Sequence, residues 1–188
     1  HCQGIHVTMP IVTPDPETMN DLTDAERDSL AAMQFYQNHD SGYSKQQSTR
    51  PQTLGYGLAD SPMGQAAWIL EKFYQWMDCD GLPQNIVSLD ELLDNVMLYW
   101  LPNAGASSAR IYWESFGSST LSSLPVTVPS AISIFPKEIF KTSERWARLR
   151  YQDLRYFNQL SKGGHFAAFE QPDLFVQELR AAFDKMRD

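Results

Sequence analysis

The stretch LPVTVPSAISIF, Leu124 to Phe135, is where the character of the chain changes. It is β-branched and apolar, it stops at Pro136, and it reads as a buried strand. Downstream, LRYFNQL (Leu154 to Leu160) reads as a second short strand, and QPDLFVQELRAAFDKM as an amphipathic terminal helix. The helical period assigns Phe175, Leu179, Phe183 and Met186 to the buried stripe of that helix. Upstream, Gly4 to Met9 is strand-like. Between this first strand and Leu124 the pattern is mostly helical. TDAE (Thr23 to Glu26) is a capping box opening a helix that reaches Gln37, and SLDE (Ser88 to Glu91) is another. The second capping box opens a helix whose apolar face is Leu89, Leu92, Leu93, Val96, Met97 and Trp100. Ser61 can cap a helix with Pro62 at its first position, and Ala66, Ile69, Leu70 and Phe73 follow at helical spacing. Residues 38–60 are polar and rich in glycine and serine, which predicts a loop. A helical block interrupting strand–helix–strand alternation reads as a lid inserted in an α/β sheet. The expected division is a core strand at 1–13, a helical lid at 14–121 and the rest of the core at 122–188.

Composition narrows the classes of function. Of the 188 residues 43% are hydrophobic and 20% charged, a globular balance. A net charge of -8 without a Lys/Arg-rich run argues against nucleic acid or an anionic membrane as partner. No apolar run approaches the roughly 18 residues of a membrane span. Cys2 and Cys79 lack metal-ligand spacing, so neither a disulfide framework nor a zinc site is implied, and a reducing, cytoplasmic setting is the default. The chain opens directly into a strand-like run, without signal or transit pattern, and so reads as processed, truncated or one half of a larger fold.

One place carries a chemical signal. Gly163–Gly164 and then His165 follow the last predicted strand, so the imidazole falls on a loop at the carboxyl edge of the sheet, where ligands bind in open α/β folds. Glycines there permit backbone angles closed to other residues and a close approach by neighbours. Glu138 lies just past the end of the preceding strand. A histidine acting as general base needs a carboxylate to orient it and to stabilise the imidazolium. Spacing alone leaves Glu138 equally readable as a solvated glutamate at a helix start, and His165 as an exposed residue of a turn.

The segments DSPMGQAAWILEKF, NVMLYW, ARIYWE, FPKE and GGHFAAFEQPDLF, in that order, resemble the epoxide hydrolases of the α/β-hydrolase superfamily, in particular the microsomal and fungal branch. The resemblance covers nearly the whole chain. It implies the C-terminal part of an α/β-hydrolase fold, with a mostly parallel sheet and an inserted helical lid. It also implies two lid tyrosines, Tyr43 and Tyr112, whose phenols donate to the epoxide oxygen, and a His165 base oriented by Glu138. Trp68 and Trp100 become candidates for lining the substrate cavity, which would favour aryl or bulky alkyl epoxides. The other tyrosines considered, Tyr36, Tyr56, Tyr74 and Tyr99, read as packing residues, and His1, His6 and His39 have no partner pattern. No metal or organic cofactor is implied; the partners are an epoxide and water, and a homodimer is compatible with the family. The role is left open among detoxification, catabolism and biosynthesis.

In that family an aspartate on a Gly-x-Asp-x-Gly turn attacks the epoxide and forms an alkyl-enzyme ester. No such turn is present in this sequence. DCDGL (Asp78 to Leu82) lacks the glycine two places before the aspartate, and HDSGY around Asp40 fails similarly. The expectation is that the nucleophile and the oxyanion-hole loop belong to an N-terminal portion, either a separate chain or a missing segment, and that this piece alone is inactive. The segment GSSTLSSLP, Gly117 to Pro125, departs from the family pattern. Two other readings stand beside this one. An esterase or haloalkane dehalogenase would share the carboxylate–histidine pair without the two tyrosines, and a catalytically silent binding protein would keep only the fold.

Overall fold

Strand β2 (Ser130–Ile134) is buried along its whole length because both of its faces are covered. The computed structural model describes residues 2–116 and 124–187, so most of GSSTLSSLP lies outside the described residues. β2 is the middle of a three-stranded parallel sheet, flanked by β1 (Ile5–Val7) and β3 (Leu154–Gln159). Ile5 pairs with Ser130 and Val7 with Ile132, while Ile132 pairs with Phe157 and Ile134 with Gln159. The regular strand is shorter than the apolar run that announces it. Pro125 and Pro129 cannot donate to a ladder, and upstream of Ser130 only Val126 makes an isolated parallel bridge, to Tyr151.

The helices are α1 (Asp24–Phe35), α2 (Gly42–Thr49), α3 (Pro51–Asp60), α4 (Pro62–Trp76), α5 (Leu89–Trp100), α6 (Gly105–Phe116), α7 (Glu144–Arg150), α8 (Ala167–Glu170) and α9 (Pro172–Met186). The chain divides into two compact units, residues 1–36 with 120–188, and residues 37–119.

In the first unit the two faces of the sheet differ in chemistry. Ile132 and Ile134 pack with Ala147, Tyr151 and Leu154. On the other face Ala131 meets Ala182 and Met186 of α9. The buried side chains of α9 are Glu178, Ala182 and Met186; of the expected row Met186 is buried, Phe175 and Leu179 are half-buried and Phe183 is exposed. The reason is polar. The Glu178 carboxylate accepts hydrogen bonds from Ser133 Oγ (2.7 Å), Tyr156 OH (3.0 Å) and Asn158 Nδ2 (3.0 Å). That set of donors fixes which face of the helix turns inward. His6 Nε2 lies 2.9 Å from Ser133 Oγ and extends the network to β1; burial lowers the pKa of its imidazole, and the charge of Glu178 partly offsets that.

Both capping boxes form as read, at Thr23 and Ser88. In α5 only Leu92 and Val96 are buried, while Leu89, Leu93 and Met97 of the predicted face are exposed. The predicted loop at 38–60 is instead a π-helical turn (Tyr36–Asp40) followed by α2 and α3. Ser48 and Thr49 satisfy their hydroxyls on carbonyls one turn back, which lets them sit in α2. Gly55 serves close packing rather than a turn, since a Cβ there would lie 2.5 Å from the Cβ of Ala106 on α6. Three of the tyrosines read as packing residues, Tyr56, Tyr74 and Tyr99, are exposed; Tyr36 packs edge-on against Phe140.

Helices α1 and α7 are tied by one buried carboxylate. Glu26 is fully buried and accepts from Arg145 Nε and Nη2, both at 2.6 Å, and from Ser143 Oγ. The Arg145 guanidinium, with Ser143 and the Thr23 cap, brings its pKa down to about 2 against the desolvation that opposes it. A folded-state value below the unfolded one means stability that is complete above the ordinary carboxylate range and lost as pH falls through about 2. Replacing Arg145 by Ala strands a buried charge and should lower the urea midpoint at pH 7. It should also flatten the loss of stability between the ordinary carboxylate pKa and about 2, read by denaturant titration at a series of pH values.

Candidate active site

Beyond the last ladder pair of β2 and β3, the chain makes one more backbone link. Lys137 N–H donates to Gly163 C=O at 3.1 Å, and Lys137 forms an isolated parallel bridge with Gly164. The loops leaving the carboxyl ends of the two strands are thereby held side by side. Gly163 is needed twice over: its φ is +104°, and a Cβ would sit 2.7 Å from Phe135 Cδ1. Gly164 has no such angle; its contribution is a backbone N–H, described below.

The residue after each linked position is the one with chemistry. Glu138 Oε1 lies 2.7 Å from His165 Nδ1 and also accepts the N–H of Ile139 at 2.7 Å. Glu138 is 3% exposed, and its Oε2 is buried without a partner among the described residues. The carboxylate is thus directed at the imidazole. With Nδ1–H donated to Glu138, the lone pair of the neutral ring lies on Nε2. The Phe166 ring stands edge-on to the imidazole at 5.1 Å between centroids. The sequence left contact between these two residues open, and the structure brings them together.

The two tyrosines meet within the 37–119 unit. Tyr43 stands in the first turn of α2 rather than in a loop, and its ring lies 5.7 Å from that of Tyr112 on α6, nearly perpendicular to it. Trp76 packs on Tyr43 at 5.3 Å, and Lys72 Nζ sits 4.6 Å over the Tyr43 ring. Lys72 is held by buried Asp40 at 2.7 Å, and Asp40 also accepts from Trp76 Nε1. A cleft of about 330 Å³ runs past Tyr43, Trp68, Lys72 and Asp40. Trp68 donates to Gln47 at 3.2 Å, while Trp100 is half-buried at the end of α5 and is not among the residues lining that cleft.

Neither aspartate considered as a nucleophile has the required setting. Asp40 is committed to Lys72 and Trp76. Asp80 and Gly81, both with positive φ, form a turn after α4 and not between a strand and a helix. Among the described residues no group of His, Cys, Asp and Glu could hold a metal ion. No helix among them is long and apolar enough to cross a membrane. Sequence reasoning missed the buried pair Asp40–Lys72, and it missed Glu170, whose signal was an acidic residue one turn after a helix start, the logic already used at Thr23 and Ser88.

A parallel sheet flanked by helices, with a carboxylate–imidazole pair at its carboxyl edge and a helical unit interrupting it in sequence, defines an α/β-hydrolase core. Comparison with known proteins narrows the class. The chain is 51% identical, over 98% of its length, to a putative epoxide hydrolase of Stigmatella aurantiaca, and covers 42% of that protein. It is 35% identical to epoxide hydrolase 1 of Sus scrofa, over 96% of its length and 45% of the relative. The structure superimposes on the epoxide hydrolase of Aspergillus niger with a TM-score of 0.85 at 29% identity, over 98% of this chain and 46% of that one. No protein-family model matches. The chain is a relative of the epoxide hydrolases with the α/β-hydrolase fold, and it spans less than half the length of the relatives it matches.

Replacing Gly163 by Ala should destabilise the protein by about 1–3 kcal/mol, the order of cost for a side chain forced into such a backbone conformation. The same variant should lose the downfield Nδ1–H proton signal of His165, because Phe135 and the Lys137 link must both give way. A denaturation curve and a proton spectrum together check both statements.

Proposed function

We propose that this chain supplies the general base, its orienting carboxylate and the two epoxide-activating phenols of an epoxide hydrolase. The observation that carries the reading is the 2.7 Å contact of His165 with Glu138 at the carboxyl ends of two parallel strands. The ring contact of Tyr43 and Tyr112 supports the choice of substrate, since opening an epoxide calls for donors to a developing alkoxide. The nucleophilic aspartate is assigned to a portion of the protein outside these 188 residues, on a separate chain or a further segment. The lack of a Gly-x-Asp-x-Gly turn in the sequence supports this, as does the fraction of its relatives that the chain covers. The 37–119 unit acts as the lid. A cytoplasmic setting belongs to the same proposal, supported by Cys2 and Cys79, one exposed and one buried and not joined in a disulfide.

The steps follow from the groups. The aspartate carboxylate attacks an epoxide carbon; the ring C–O bond breaks toward oxygen, and that oxygen takes its proton from a phenol. A phenol suits the task because, with a pKa near 10, it is protonated at neutral pH yet can release its proton as charge develops. Nε2 of His165 then removes a proton from water as the water oxygen bonds to the ester carbonyl. Glu138 stabilises the imidazolium and backbone N–H groups hold the oxyanion. On collapse the acyl C–O bond to the substrate breaks, and the departing oxygen takes the proton carried by the added water oxygen. The imidazolium proton returns through solvent to the phenolate, which leaves a vicinal diol and restores carboxylate, imidazole and phenol.

In the whole protein, His165→Ala should consume about one equivalent of a styrene-type epoxide and then stop, leaving the aspartate-bearing portion heavier by the mass of the epoxide. Tyr112→Phe should slow epoxide opening by roughly 10²-fold, while an ester or haloalkane substrate would hardly register the change. Diol release by His165→Ala at the unaltered rate, or a protein with no epoxide turnover at all, refutes the reading. Native mass spectrometry shows whether a second component accompanies the chain.

A further inference from the structure

We propose that Glu170 is a positioning residue for His165, holding the backbone on either side of the imidazole in place while Glu138 holds the ring. Glu170 is 5% exposed. Its Oε2 accepts the N–H of Gly164 at 2.9 Å and its Oε1 accepts the N–H of Phe166 at 3.0 Å. The two oxygens of one carboxylate therefore straddle His165, each engaging a chain neighbour. The turn that returns Glu170 to this position is closed by its own N–H, which donates to Phe166 C=O at 2.9 Å.

Only a carboxylate of this length suits the geometry. Two convergent N–H donors call for two acceptor atoms, and a charged acceptor strengthens both bonds. A glutamine offers one oxygen and turns an N–H against the other donor; an aspartate is one methylene too short to reach both. On the strand side, Gly163 C=O is held by Lys137 N–H, so residues 163, 164 and 166 are each pinned by a backbone hydrogen bond. The Cα–Cβ direction of His165 then has little freedom, and the ring needs only Glu138 to settle its rotation. A base placed this way presents Nε2 to water without searching for its orientation, and small misplacements of such a group are costly to the rate.

The inference rests on His165 being the base of the second step, and the experiment separates the two ideas. In the whole protein, Glu170→Gln should leave ester formation unaltered and slow ester hydrolysis roughly 10- to 100-fold. kcat and KM should then fall together with kcat/KM unchanged, because ester formation alone sets kcat/KM. Exchange of the Gly164 and Phe166 amide protons should accelerate and the His165 Nδ1–H signal should weaken. Glu170→Asp, which keeps the charge and one contact, should fall between wild type and Glu170→Gln, and it serves as the test should the Gln variant not fold. Equal losses in both chemical steps would mark a merely structural residue and overturn the proposal, as would unchanged amide exchange beside unchanged hydrolysis. A wild-type protein without epoxide turnover would sink the proposed function instead, and amide exchange would still decide whether Glu170 holds the loop.

Discussion

The backbone link from Lys137 N–H to Gly163 C=O is the constraint on which the site depends. The sheet ladder ends at Ile134 and Gln159, and each chain then turns toward its own next helix. Without a further tie the two loops would diverge. This backbone link carries the pairing past the proline at 136, so that Glu138 and His165 emerge as neighbours. The link requires a residue at 163 that tolerates positive φ and that lets Phe135 approach, and glycine alone meets both demands.

Much of this was legible in the sequence, for reasons that differ element by element. β2 announced itself because a strand covered on both faces must be apolar throughout. The capped starts of α1, α4 and α5 announced themselves because orphan amides need side-chain acceptors at fixed offsets. The pair Glu138–His165 could be suspected but not paired, since the bond that joins them is between backbones and leaves no mark in residue type. Helices α2 and α3 were illegible for a related reason. Gly42, Gly55 and Gly57 look like loop residues, and the value of Gly55 appears only when the Cβ of Ala106 is seen where a side chain would have been. Apart from Met186, the inward row of α9 was misread, because a hydrophobicity pattern gives Glu178 to the solvent and Phe183 to the core.

Among the described residues, buried side-chain polar atoms other than one oxygen of Glu138 have their partners. Glu26 has Arg145 and Ser143, Asp40 has Lys72 and Trp76, Glu170 has two amides, and Glu178 has three side-chain donors. Removing any single partner leaves a charge in a place that cannot hydrate it, which costs more than the contact contributed. Glu138 differs in that one of its oxygens has no partner among the described residues, which leaves the other, and with it the imidazole, as the principal outlet for its charge.

The carboxylate of Glu178 has a consequence for α9 as a moving part. A helix docked through leucines and phenylalanines alone could slide by one turn, about 5.4 Å, and find another set of apolar contacts nearly as good. Ser133, Tyr156 and Asn158 converge on this one carboxylate from two strands, and a slip that carried Glu178 toward Ala131 would part it from Ser133 and Asn158. The helix has one berth, and the polar network acts as a key cut for it, excluding misdocked forms during assembly.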